Sequence, residues 1–317
     1  MSHINSFLHE RSDIRNLYQT LSLEMGIFPQ IIEKDYWLMH CLWGLKEQGF
    51  GLELKGGTSL SKGWGIIDRF SEDVDIKIST PDVTKLPVGK NHDKTSHIKA
   101  RADYFDKLAQ KIVISGIKKV KRDTAFDDGK MRGAGIRLIY DSAFEPLLGV
   151  KEGILLEVGF DITTPNKPRT ISSWMMDKAH TVALSVLDNR AYKILCYFPE
   201  YTFVEKLQTI STKFRNFESK NVLPKNFIRH YYDVFKLLEQ DRVKKFIGTP
   251  EYLSHKKERF AASDEPDLSK NQAFLLSNDK TRNLFKSEYQ KTRNLYFKGQ
   301  PDFEDILKKI TKHLGDL

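Results

Sequence analysis

The stretch LELKGGTSLSKGWGIIDRFSEDVDIKI, Leu52 to Ile78, restricts the fold more than any other part of the chain. LELK reads as a short strand and Thr58 as the N-cap of a short helix through SLSKGWGII. DVDIKI alternates polar and apolar residues and reads as a second strand. A strand that passes through Gly56-Gly57 into a helix leaves unpaired backbone N–H groups at the helix start. Those amides and the helix dipole favour an anion, and glycine lets a phosphate come close to the backbone. The spacing is not that of a P-loop, which needs Gly, four residues, then Gly-Lys-Ser/Thr. Taken alone, the two glycines are better explained by a plain tight strand-to-helix connection.

Side chains two apart on a strand share a face, so Asp73, Asp75 and Lys77 lie together while Val74, Ile76 and Ile78 face the core. Two carboxylates this close repel each other unless a cation sits between them, and hard oxygen donors suit Mg²⁺ or Mn²⁺. A solvated charged strand is the alternative. In GILLEVGFDI, Ile154, Leu156, Val158, Phe160 and Ile162 take one face and Leu155, Glu157, Gly159 and Asp161 the other. Either Glu157 or Asp161 can join the aspartates as a third acid if the two strands are neighbours.

Around this stretch, residues 10 to 48 read as helical throughout, with Ile31, Ile32, Leu38, Cys41, Leu42 and Leu45 at three- and four-residue intervals. Residues 79 to 98 read as a polar loop or flap, followed by a helix in KARADYFDKLAQKIVIS. GAGIRLIYDS and GILLEVGFDI form a hairpin with a long connection, and TTPNKPRT is a loop. From about Tyr192 the chain is mostly helical, most clearly in TFVEKLQTISTKFRNF, KNFIRHYYDVFKLLEQ and FEDILKKITKHL. The expected architecture is α+β: a mixed sheet in the N-terminal half (residues 1–174) and a helical C-terminal half (residues 175–317).

A formal charge of +9 favours an anionic partner such as nucleic acid. Ser115–Asp123, Ser254–Phe260 and Lys291–Lys298 are basic stretches suited to RNA phosphates, with tyrosines nearby to stack bases; solvated faces explain them as well. Cys41 and Cys196 sit among apolar neighbours and read as buried reduced thiols. The N-terminus lacks a signal-peptide core and no apolar run reaches membrane-spanning length, which points to a cytoplasmic protein without membrane contact. On local pattern alone Lys206 and Asp233 are surface charges, Asp233 pairing with Arg229 four residues away, and His230 is structural or exposed.

A Gly-Gly turn, a short helix, an Asp-x-Asp strand and a later acidic strand form the pattern of polymerase-beta-like nucleotidyltransferases. The fuller wording LKGGTSLSKGWGIIDRFSEDVDI resembles a narrower group, the AbiEii/AbiGii nucleotidyltransferase toxins of type IV toxin–antitoxin systems, including the MenT toxins. EKDYWL (Glu33 to Leu38), EKLQTI (Glu205 to Ile210), RHYYDV (Arg229 to Val234) and YFKGQPDFEDILKKI fit that group too, so the resemblance runs from about residue 30 to 312. It implies a polymerase-beta-like fold and an enzyme that transfers a nucleoside monophosphate from an NTP to an acceptor, a tRNA 3′ end, and so blocks translation. Transfer to a protein or small-molecule hydroxyl, or a non-catalytic nucleotide- or RNA-binding module, are the alternatives. By the same resemblance Gly56, Gly57 and Thr58 bind triphosphate, and Lys62, Arg69 and Ser71 touch phosphate. Asp73, Asp75 and Glu157 hold Mg²⁺ or Mn²⁺, and Lys206 and Asp233 from the helical domain complete the active site. EKDYWL packs a helix beside the site with Tyr36 and Trp37 partly in the core. The partners implied are NTP, tRNA and a cognate antitoxin that acts without direct contact. Gly-Gly-Thr stands where many polymerase-beta-like enzymes carry Gly-Ser, so the phosphate contacts at the turn differ in detail.

Overall fold

The computed structural model describes residues 6–89, 91–147 and 149–317. Positions 1–5, on which part of the N-terminal reading rests, and Lys90, inside the expected flap, lie outside the described residues. The chain divides by its contacts into two compact units. One comprises the residues up to Gly63 together with Phe70–Tyr197; the other comprises Trp64–Arg69 and Phe198–Leu317.

Among the described residues, seven strands of the first unit form one mixed sheet. They are β1 (Gly51–Leu54), β2 (Asp73–Ser79), β3 (Ile117–Asp123), β4 (Gly133–Tyr140), β5 (Ile154–Gly159), β6 (Asn166–Ile171) and β7 (Ala191–Tyr197). Their order is β3-β4-β5-β2-β1-β7-β6, with β2–β5 and β1–β7 parallel and the other pairs antiparallel. Val74, Ile76 and Ile78 of β2 are buried, and Asp73, Asp75 and Lys77 alternate with them on the other face. The GAGIRLIYDS and GILLEVGFDI segments do pair antiparallel, as β4 and β5. The strand ends at Gly159, however, so Asp161 and Ile162 lie beyond it, and Ile162 is 67% exposed rather than facing the core.

The helices of this unit are α1 (Ile14–Met25), α2 (Pro29–Glu47), α3 (Gly56–Thr58), α4 (Thr95–Lys111) and α5 (Trp174–Thr181). The helix expected over residues 10 to 48 is therefore two helices. Gly26 closes α1 in the left-handed conformation, and Pro29 opens α2 at a first-turn position where a missing N–H costs nothing. α2 is buried almost all round, including Glu33, Lys34, Asp35 and His40; Tyr36 and Trp37 are fully core. TTPNKPRT is not simply a loop: Asn166–Ile171 is edge strand β6, where Pro168 is tolerated, and it pairs with β7. β7 delays the helical half to Pro199. Its alternation is broken by a register shift opposite Arg169–Ile171 and by Lys193 at φ 56°, which removes the period-two signal from the sequence.

The second unit contains α6 (Pro199–Lys220), α7 (Arg229–Leu237), α8 (Asp241–Phe246), α9 (Pro250–Arg259), α10 (Gln272–Leu275), α11 (Asp279–Gln290) and α12 (Phe303–His313). Its core follows helical spacing: Phe203, Leu207, Ile210, Phe214 and Phe217 from α6, Tyr231, Val234 and Leu237 from α7, and Phe303, Ile306, Leu307 and Ile310 from α12. Side-chain caps from Thr249, Asn271, Asn278 and Asp302 start α9 through α12. The fold class is α+β, a mixed sheet with N-terminal helices and a helical C-terminal half, consistent with the polymerase-beta-like nucleotidyltransferase fold. Among the described residues, no helix is long and apolar enough to cross a membrane, and Cys41 and Cys196 are buried free thiols.

Burial of His40 on α2 makes stability sensitive to pH. Its Nε2 faces the Ser115 carbonyl at 3.0 Å, so that nitrogen carries the proton, and its Nδ1 faces the Asn189 side-chain amide at 2.9 Å and accepts. Charging the ring would set an N–H against an N–H. Burial pushes the pKa of His40, and of neighbouring His9, down to about 4. The unfolded chain, with histidines near their ordinary value of about 6.5, then binds more protons than the folded one in the interval below that value. The stability contribution is complete above the unfolded value and is lost as pH falls toward about 4. Denaturant melts are expected to show stability falling over this interval, and His40→Gln is expected to flatten the slope.

Candidate active site

Gly56 is the tightest point of the glycine turn. Its φ is +67°, and a Cβ there would lie 1.9 Å from Asp75 Oδ2 and 2.8 Å from Asp75 Cγ. Only glycine satisfies both the left-handed backbone and the close approach of the carboxylate. Lys55 N donates to the Asp75 carbonyl at 2.9 Å, and Thr58 Oγ1 donates to the Asp73 carbonyl at 2.8 Å. The turn is therefore bonded to β2 on both sides. Thr58 was expected as a helix N-cap, but helix α3 begins at Gly56 with Lys55 in the cap position, and the Thr58 hydroxyl is directed to β2 instead.

The parallel register of β2 and β5 sets Asp75 directly beside Glu157 and Asp73 beside Leu155. Neighbours in register point to the same face, so Asp73, Asp75 and Glu157 share the acidic side of the sheet. Asp161 lies past the strand end and forms an ion pair with Lys55. The two Asp73 oxygens are held by Lys151 Nζ at 2.8 and 2.9 Å. Among the described residues, no three His, Cys, Asp or Glu side chains converge as metal ligands. The donor set nonetheless fits a hard divalent cation: three carboxylates on one face, with an ammonium standing where positive charge is needed at Asp73. Ser71 is half-buried in the irregular segment leading into β2.

Three consecutive charged residues of α2 fix the loops around this face, and nothing in their local pattern marked them. Glu33 accepts from Ser142 Oγ at 2.6 Å and Ala143 N at 2.7 Å. Lys34 donates to the Lys151 carbonyl and pairs with Glu72 at 3.6 Å, beside Asp73. Asp35 accepts from Trp174 N at 2.8 Å and pairs with Lys62 Nζ at 2.6 Å. Burial shifts all three toward neutrality, raising the Glu33 and Asp35 pKa values and lowering that of Lys34. Lys62, expected at phosphate, is thus drawn inward, its ammonium 4.1 Å from the Trp174 ring centroid.

Within the helical unit, Asp233 is fully buried and is not an exposed partner of Arg229. Arg69 Nε and Nη2 donate to its two oxygens, each at 2.7 Å, and Lys206 Nζ lies 3.0 Å away. Burial alone would raise the Asp233 pKa; the Arg69 and Lys206 charges overcome it and hold the carboxyl below its usual range. His230 stands between Lys206 and Lys213, with ring nitrogens 3.2 and 3.4 Å from their Nζ atoms. Burial, reinforced by those two cations, keeps it neutral by lowering its pKa well below the ordinary value. Of the basic stretches, Arg122 is paired with Asp106 and Asp127, Lys118 with Asp141, Lys291 with Glu288 and Lys298 with Asp68.

The Gly56–Asp75 contact can be separated from plain backbone strain. Gly65 has nearly the same φ, +64°, with nothing within 4 Å of a Cβ. Gly65→Ala is expected to cost about 1–2 kcal/mol from the left-handed backbone alone. Gly56→Ala, measured by the same denaturant titration, is expected to cost clearly more because Asp75 must move. Equal costs would show that the carboxylate does not press on the turn.

No curated protein matches the chain. The family description "Nucleotidyl transferase AbiEii toxin, Type IV TA system" matches residues 44–309, which takes in the glycine turn, the acidic strands and most of the helical unit. With the turn and Asp-x-Asp strand placed as above, and the match covering most of its length, the chain belongs to the AbiEii nucleotidyltransferase toxin family of type IV toxin–antitoxin systems.

Proposed function

We propose that this protein transfers a nucleoside monophosphate from an NTP to the 3′ end of a tRNA, in a reaction dependent on Mg²⁺ or Mn²⁺, and so blocks translation. The observation that carries the reading is the acidic face, with Asp75 in register with Glu157 and Asp73 two residues away, directly beside a turn that only glycine can make. Asp73, Asp75 and Glu157 would hold the metal. Glu157 is favoured over Asp161 because Asp161 lies off the strand and pairs with Lys55. Bound there, the metal supplies Lewis-acid polarisation of the α-phosphate.

The chain's own groups do the positioning. The Gly56-Gly57 turn offers backbone amides to the triphosphate, and Thr58 holds that turn to the Asp73 carbonyl. Lys62 is anchored by Asp35 and would support the turn. The formal charge of +9 agrees with an RNA acceptor. A cognate antitoxin acting without contact fits the family.

Purified wild type and Asp75→Ala, incubated with total tRNA, Mg²⁺ and each α-labelled NTP, test the reading. Label is expected in tRNA with at least one nucleotide, with a loss of at least about 100-fold in the variant. Label that enters protein or a small molecule instead would move the acceptor. No label in any acceptor would sink the proposal and favour a nucleotide-binding module.

A further inference from the structure

Lys151 reaches the acidic face, and neither its surroundings in sequence nor the family pattern gives it a task. Its ammonium spans both Asp73 oxygens, at 2.8 and 2.9 Å, and so covers the atoms a divalent cation needs. This is not a wandering surface lysine. Its backbone N donates to Glu72 Oε1 at 3.2 Å, its carbonyl accepts from Lys34, and its Nζ lies 4.7 Å from the Phe126 ring centroid. Glu72 and Lys34 are themselves a buried pair, 3% and 2% exposed at their side chains. Two buried charges therefore fix the lysine backbone, and one of them is the chain neighbour of the aspartate that the lysine holds.

An ammonium spanning both oxygens of a carboxylate and a divalent cation on that same carboxylate repel each other, so each weakens the other's hold. We propose that Lys151 competes with the metal: it holds Asp73 in the metal-free protein, and a divalent cation binds only by displacing it. The inference rests on Asp73 being a metal ligand, as argued under the proposed function. It gives the protein a low intrinsic metal affinity set by its own side chain. It also leaves an ammonium beside the site that can turn to a phosphate once the metal has arrived. A nucleotide carrying its own negative charge then favours both movements, so metal and NTP load together.

The test is Mn²⁺ titration of the intact protein, followed by the electron paramagnetic resonance signal of the free ion and without any nucleotide. Lys151→Gln is expected to bind Mn²⁺ about five-fold more tightly than wild type, the upper end for a partly exposed ion pair. Lys151→Met, which keeps the stem on Phe126, is expected to behave in the same way and guards against a folding defect in the first variant. Lys151→Arg, which keeps the charge, and Lys178→Gln, which removes a lysine paired with Glu24, are expected to stay within about two-fold of wild type. Unchanged or weaker Mn²⁺ binding in both neutral variants would overturn the inference while leaving the metal site intact. Mn²⁺ binding that is insensitive to Asp75→Asn in every variant would overturn the metal reading and this inference with it.

Discussion

The burial of three consecutive charges on α2 is the constraint on which the acidic face depends. Glu33, Lys34 and Asp35 are each at most 2% exposed, and each would be costly to bury without a partner. The partners lie on separate segments: Ser142–Ala143 after β4, Glu72 and Lys151 beside Asp73, Lys62 just past the glycine turn, and Trp174 N at the start of α5. Desolvation fixes the loops because moving any one of them would leave a buried charge alone. α2 thus acts as a rigid core element from which the site's surroundings are held.

The second constraint is the bonding of turn to strand. Gly56 admits the Asp75 carboxylate at a distance no side chain would permit, and Thr58 and Lys55 tie the turn to the β2 backbone. A turn and a strand joined this way keep a fixed spacing, which is what the proposed phosphoryl-type transfer would require of groups acting on one triphosphate. Lys151 adds a cation of the protein's own to the same face, which keeps its carboxylates from repelling one another when no metal is bound.

Much of this was legible in the sequence where the signals are local. Period-two alternation placed Asp73 and Asp75 opposite Val74, Ile76 and Ile78, and aligned Glu157 with the same face, because a strand repeats every two residues. The family resemblance marked EKDYWL as a helix beside the site, but the burial of its charged triplet was not legible, since Glu, Lys and Asp read locally as surface residues and their partners are as far as 139 residues away in the chain. For the same reason Asp233 invited a helical pairing with Arg229 when its strongest partner, Arg69, lies 164 residues away. β6 and β7 escaped notice because an edge proline and a bulge erase the alternation that marks a strand. Trp64–Arg69, in the middle of the motif, belongs by contacts to the helical unit, and no composition shift announces that.

The central claim, that Asp73, Asp75 and Glu157 form a metal and triphosphate site beside the Gly56 turn, is tested most directly by anomalous diffraction. Crystals soaked with Mn²⁺ and a non-hydrolysable NTP analogue are the material. The account predicts a manganese peak coordinated by Asp73 and Asp75 with Glu157 alongside, phosphate density at Gly56-Gly57, and Lys151 withdrawn from Asp73. A peak elsewhere, or Lys151 still paired with Asp73 while nucleotide occupies the protein, would contradict it.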